Sequence, residues 1–267
     1  MNIPEILITH DPYHVGIKAA EEFVRTTQHA VRTRGWAAVA LSGGRTVRVL
    51  LERLATPPLV DLVPWDRTEI FWSDERLVPP EDPGSNHGTA IRELLEHVPI
   101  PRECVHTPPV GAGPADAVHE KTGKRLEQGT VRQVLDARGD TGPSLDLVFL
   151  GLGHDGHIAS LFPGQSATWD RSRLVIPARG PDSPHERITF SPSFLLTSAR
   201  LVVMVCGHEK AGIVQQVIEI APDVESRPAQ MLQEALGHVV WILDLEAASC
   251  LTPGPPSPDG GEGLPWW

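Results

Sequence analysis

Four short apolar runs constrain this chain most: Trp36–Leu41 (WAAVAL), Leu145–Leu150 (LDLVFL), Leu201–Cys206 (LVVMVC) and His238–Leu243 (HVVWIL). None alternates cleanly between apolar and polar residues, so each reads as a strand buried on both faces. Such strands need helices above and below them. Tyr13–Arg34, Val47–Leu54, Asn86–His97, Pro114–Arg138 and the stretch from Lys210 to Glu219 carry the pattern of helices. Gly35 is placed to end the first, and Ser85 to cap the third. Shorter strands are expected at Glu5–Thr9, Thr68–Ser73, Cys104–Thr107, Leu174–Pro177 and Glu186–Phe190, with short helices over Ser193–Ser198 and Pro228–Leu236. This alternation predicts an α/β fold, a mostly parallel sheet with helices on both faces. No repeat or linker interrupts it, so residues 1–248 are expected to form one domain. The Pro/Gly-rich segment 249–267, with Trp266 and Trp267, is expected to be a mobile tail.

Proton-handling residues gather after the second of those runs, in Gly151–Gly164 (GLGHDGHIASLFPG). Gly151, Gly153 and Gly156 fit a dinucleotide-binding GxGxxG, with Asp170 downstream. Pro163-Gly164, however, stops any helix after about two turns, where a dinucleotide site needs a longer one. His154, Asp155 and His157 are possible metal ligands, yet HExxH is absent and no matching cluster stands elsewhere. A serine nucleophile elbow is absent too, since no GxSxG occurs. A histidine base activating water fits better, with His157 the stronger candidate beside Asp155. The plainer reading, stronger for His154, is that the two histidines only cap the turn.

Other strand ends carry charge. Ser42-Gly43-Gly44-Arg45-Thr46 joins a strand to a helix, an arrangement that offers backbone N–H groups to an anion or merely caps a turn. Asp74-Glu75-Arg76 follows a strand and precedes Ser85-Asn86; it is either a substrate-holding cluster or a self-paired surface one. Lys210 in a first helical turn opposes the helix dipole, which suits an anion site, although a surface lysine is the simpler account. A net charge of −11 argues against general nucleic-acid binding but leaves room for a small anion. Cys104, Cys206 and Cys250 lie far apart, and no leader or run of 18 apolar residues is seen. A cytoplasmic protein without membrane contact is expected.

Taken together, these motifs resemble the 6-phosphogluconolactonase family, related to glucosamine-6-phosphate deaminase and ribose-5-phosphate isomerase. The resemblance runs in order through Ser42–Thr46, Asp74–Arg76, Ser85-Asn86, Gly151–Gly164, Arg187–Thr189, Gly207–Ala211 and Pro228-Ala229. It covers about residues 5–245. Val47 departs from the usual Pro, and Ile158 from a frequent Thr. Ile158 is shared with the deaminase branch. The flanks differ from that branch: Ser160-Leu161-Phe162 offers no acid, and Arg76 stands where deaminases have Tyr. The resemblance implies a Rossmann-like sheet of the deaminase/isomerase/CoA transferase type. It implies hydrolysis of a sugar-phosphate lactone without metal or organic cofactor, by a monomer or small homo-oligomer. His157 would be the base, with Asp155 or Asp74 in support. Phosphate would be held by Ser42, Gly43, Gly44, Arg45 and Thr46 with Arg76, Arg187 and Lys210, and Asn86 would take sugar hydroxyls. The alternatives are a deaminase or isomerase and a non-catalytic sugar-phosphate binder.

Overall fold

A computed structural model describes residues 4–108, 131–137, 144–165, 173–182 and 186–252. Of the helix expected over 114–138, only Val131–Ala137 is described, and it is helical. Asp170, the end of the loop before Glu186, and the tail with Trp266 and Trp267 lie outside the described residues.

The strands are β1 (Glu5–Thr9), β2 (Ala37–Leu41), β3 (Thr68–Trp72), β4 (Asp74–Arg76), β5 (Leu147–Gly151), β6 (Val175–Arg179), β7 (Glu186–Phe190), β8 (Arg200–Val205) and β9 (His238–Asp244). Six of them form one sheet in the order β1-β9-β8-β5-β2-β3. Every pair in it is parallel.

The apolar runs explain this sheet. Side chains alternate between faces along a strand, and here both faces are covered. Val39, Leu41, Phe149, Met204 and Ile242 point towards two helices, α1 (Pro12–Arg34) and α2 (Arg45–Leu54). Phe23 of α1 stacks on Phe149 with ring centroids 6.2 Å apart. Their strand neighbours Ala40, Leu150, Val203 and Trp241 join the opposite core, with Val214 and Val217 of the helix Ala211–Glu219.

Capping fixes the ends of α1. Asp11 accepts the backbone N–H of His14 at 2.9 Å, and Pro12 takes the first helical position. Gly35 ends the helix at φ 90°, its N–H donating to Val31 O at 2.9 Å. The buried Asp146 then ties this end to the sheet. It accepts the Ala38 N–H at 2.7 Å and the guanidinium of Arg34.

Asp74–Arg76, expected only to follow the Thr68–Ser73 strand, is itself strand β4, the edge of a second, antiparallel sheet ordered β4-β7-β6. Ser73 is the crossing point: its N–H donates to Leu41 O in the large sheet, and its carbonyl accepts from Phe190 N in the small one, both at 2.8 Å. Two other expectations are modified. Cys104–Thr107 makes only one parallel bridge, Val105 to Ile70, after a 3-10 turn at Arg102–Cys104. Asn86–His97 is α-helical over Asn86–Ala90 and π-helical over Ile91–Leu95, with Ser85 Oγ accepting the Gly88 N–H at 2.9 Å. Among the described residues no helix is long and apolar enough to cross a membrane.

Candidate active site

The carboxyl ends of β2, β5 and β8 meet the small sheet around a cleft of about 260 Å³. Open parallel sheets place ligands at this end. Ser42–Thr46, Asp74, Arg76, Asn86, His157, Arg187 and Lys210 all line it. Asp155, the remaining expected residue, reaches the cleft through His157.

The Gly-rich loop is shaped around that histidine. Asp155 Oδ1 lies 2.5 Å from His157 Nδ1 and also accepts the His157 backbone N–H at 3.1 Å. Gly156, at φ 82°, turns the chain back so that Gly153 N–H reaches His157 O at 2.8 Å. Gly153 itself leaves room for the ring: a Cβ there would stand 2.0 Å from His157 Nδ1. The imidazole rests against Phe162, ring centroids 4.6 Å apart. With Nδ1–H donating to Asp155, the other nitrogen, Nε2, is left as the proton acceptor. Burial pushes the Asp155 carboxyl up, but the hydrogen bond and charge of His157 outweigh it. The net position is below the ordinary 3.8.

Asp74 makes no described bond to His157. It is buried, and its Oδ2 accepts the Ser160 hydroxyl at 2.7 Å. The Ser160 backbone N–H in turn donates to Thr189 Oγ1, 3.2 Å away. The acid beside His157 is therefore Asp155. His154 sits in the exposed turn of the loop and makes no comparable bond among those described.

Cations line the same cleft. Arg76 and Arg187 face each other directly across the β4–β7 pair. Like charges in that position repel. The buried Nε of each finds no hydrogen-bond partner among the described residues. Burial first, then the Arg76 charge, lowers the Arg187 pKa from its ordinary value. Arg187 also lies over the Phe162 ring at 5.2 Å, so one aromatic supports both the imidazole and a guanidinium. Lys210 donates to Leu152 O at 2.8 Å, and burial lowers its pKa. It precedes the helix Ala211–Glu219 in a 3-10 turn instead of standing inside its first turn. α2 begins at Arg45, two residues earlier than expected, after Gly44 at φ 104°. No side chain caps its first turn, and Gly44–Val47 line the cleft. The Arg45 side chain is 96% exposed and approaches Glu209 at 3.8 Å.

Asn86 lines the cleft and is tied to two neighbours there: its Nδ2 donates to Asp74 O at 2.9 Å, and its Oδ1 accepts from Arg76 Nη1 at 3.0 Å. Among the described residues no cluster of three or more His, Cys, Asp or Glu is placed to hold a metal.

The family model for glucosamine-6-phosphate isomerases/6-phosphogluconolactonase matches residues 10–241. The chain belongs to this family. Among its relatives, a 6-phosphogluconolactonase from Nostoc sp. is 34% identical over 223 residues, 84% of this chain and 88% of that one. One from Streptomyces coelicolor is 30% identical over 249 residues, 93% and 95% of the two chains. The solved 6-phosphogluconolactonase from Trypanosoma cruzi matches with a TM-score of 0.83 at 28% identity, covering 94% of this chain and 98% of that one. A monomeric glucosamine-6-phosphate deaminase matches at 0.73 and 20% identity, covering 92% and 99%, which is a likeness of fold. The family reading agrees with the motifs at Ser42–Thr46, Asp74–Arg76 and Gly151–Gly164. Three contributors to the site had no role in the sequence reading: Ser160, Thr189 and Phe162. Their positions inside recognised motifs were the available signal.

Proposed function

We propose that this protein hydrolyses 6-phospho-D-glucono-1,5-lactone to 6-phosphogluconate. The observation that carries the reading is the pairing, in one cleft, of an Asp155-oriented imidazole with the facing guanidinium groups of Arg76 and Arg187. A dianionic phosphate between the guanidiniums relieves their repulsion and meets the N–H groups of Gly43–Thr46 and the Lys210 ammonium. That remote grip fixes the lactone ring for attack. His157 Nε2 takes a proton from water as the water oxygen bonds to the ester carbonyl carbon. The tetrahedral adduct then collapses, the bond from that carbon to the ring oxygen breaks, and the imidazolium returns the proton to that oxygen. Asp155 keeps the imidazole in the tautomer this requires and stabilises the cation formed in between.

The test is a coupled assay on freshly made lactone, with spontaneous opening subtracted. His157→Ala is expected to lose about 10²–10⁴-fold in kcat while keeping its fold. Arg187→Ala is expected to raise KM with kcat nearly unchanged. Near wild-type turnover by His157→Ala, or ammonia release from glucosamine 6-phosphate without lactone opening, would overturn the reading.

A further inference from the structure

Glu75 has no role in the reaction described above, yet its carboxylate accepts four hydrogen bonds. It is fully buried. Its Oε1 accepts the backbone N–H groups of Arg76 at 2.7 Å and Asn86 at 2.9 Å. Its Oε2 accepts the His87 N–H at 2.7 Å and the Ser85 hydroxyl at 3.2 Å. One side chain thus joins strand β4 to the start of the helix Asn86–Ala90, across a Pro-rich loop. A carboxylate satisfies this arrangement because all four partners are donors and it offers only acceptors.

The weld has a direction. Asn86 is one of the residues whose backbone Glu75 fixes, and its amide oxygen holds Arg76 Nη1. Gly84 O holds the same nitrogen at 2.7 Å, one residue before Ser85. Asn86 also packs against the phosphate-facing loop, since a Cβ on Gly43 would stand 1.8 Å from its Oδ1. Every described bond to the Arg76 guanidinium therefore comes from the segment that Glu75 anchors.

We infer that Glu75 is a positioning residue: acting through Asn86 and Gly84, it sets the Arg76 guanidinium against Arg187 and so fixes affinity for the substrate's phosphate. The inference rests on the lactonase reading above. It predicts a split between binding and chemistry. The imidazole and Asp155 stand on the Gly151–Gly164 loop, which Glu75 does not touch, so kcat is insulated from its loss while KM is not.

The experiment is a double-mutant cycle on the full chain: wild type, Glu75→Gln, Arg76→Ala and the double variant, each assayed on fresh lactone with melting temperature measured alongside. Gln keeps the shape but turns one acceptor into a donor facing donors. Glu75→Gln is expected to raise KM about tenfold or more, the worth of one charge-assisted bond, with kcat within about threefold. In the Arg76→Ala background the same substitution is expected to move KM hardly at all, since it has nothing left to position. A lower melting temperature with unchanged KM, or an equal KM increase in both backgrounds, overturns the inference. If Glu75→Gln does not fold, Ser85→Ala takes its place in the cycle, under the same expectations and refutations with a smaller KM increase. Wild type without lactonase activity would refute the underlying reading instead, a result separable from both.

Discussion

Gly153→Ala isolates the geometry of His157, the proposed base. A Cβ at this position would stand 2.0 Å from His157 Nδ1, 2.2 Å from Cε1 and 2.7 Å from Asp155 Oδ1, where ordinary contact begins at 3.4 Å. The ring must then retreat by about 1.4 Å, the difference between the first and last of those distances. Phe162 stands against the imidazole and limits where it can go. Gly153 is not among the described residues at positive φ, so the methyl strains no backbone and acts through contact alone. A misplacement of about 1 Å costs on the order of 10²-fold in rate. We expect kcat for Gly153→Ala to fall by about that factor, with KM changed far less because the phosphate grip lies elsewhere. The assay is initial rate on fresh lactone, corrected for spontaneous opening, beside a melting curve. A kcat within about threefold of wild type would refute the claim that ring position is set at Gly153.

Two further outcomes can be checked directly. The folded Asp155 carboxyl sits below its ordinary 3.8, so its contribution to stability is present above that pH and lost as pH falls through the lowered value. The gap in melting temperature between wild type and Asp155→Asn is thus expected to close in that acid window, while the variant's rate is reduced at neutral pH. Asp146→Ala removes the acceptor for Ala38 N–H and Arg34. It is expected to lower stability by about 1–3 kcal/mol, read by urea unfolding, with kcat/KM unchanged.

Four strands of the large sheet, β2, β5, β8 and β9, were legible because they are buried on both faces and therefore written as apolar runs. Gly35 and Ser85 were legible because each does a local job that few other residues do. β4 was not, because Asp74-Glu75-Arg76 carries no apolar pattern; its strand character comes from the partner β7 far along the chain. The residue types of the site could be read from the motifs, and the division of labour could not. Asp74 and Asp155 are equal candidates in sequence, and only the fold puts one on His157 and the other on Ser160. That Asn86 holds Arg76 through its amide oxygen is likewise visible only in the fold. Gly153 fits a dinucleotide turn by spacing, whereas its open side is filled by an imidazole.

Strand β1 has one neighbour in the sheet, β9, with Glu5 opposite Val240 and Thr9 opposite Asp244. The helix that follows β1 is made early on the ribosome, but the strand beside it has nothing to pair with until almost the whole fold has been synthesised. Loop closure over such a span is entropically slow, and the seam forms late. Until then β8 is an open edge carrying Leu201, Val203 and Val205, a surface that invites pairing with another chain. The last described strand to emerge is thus the one that covers the β8 edge and brings β1 into the sheet.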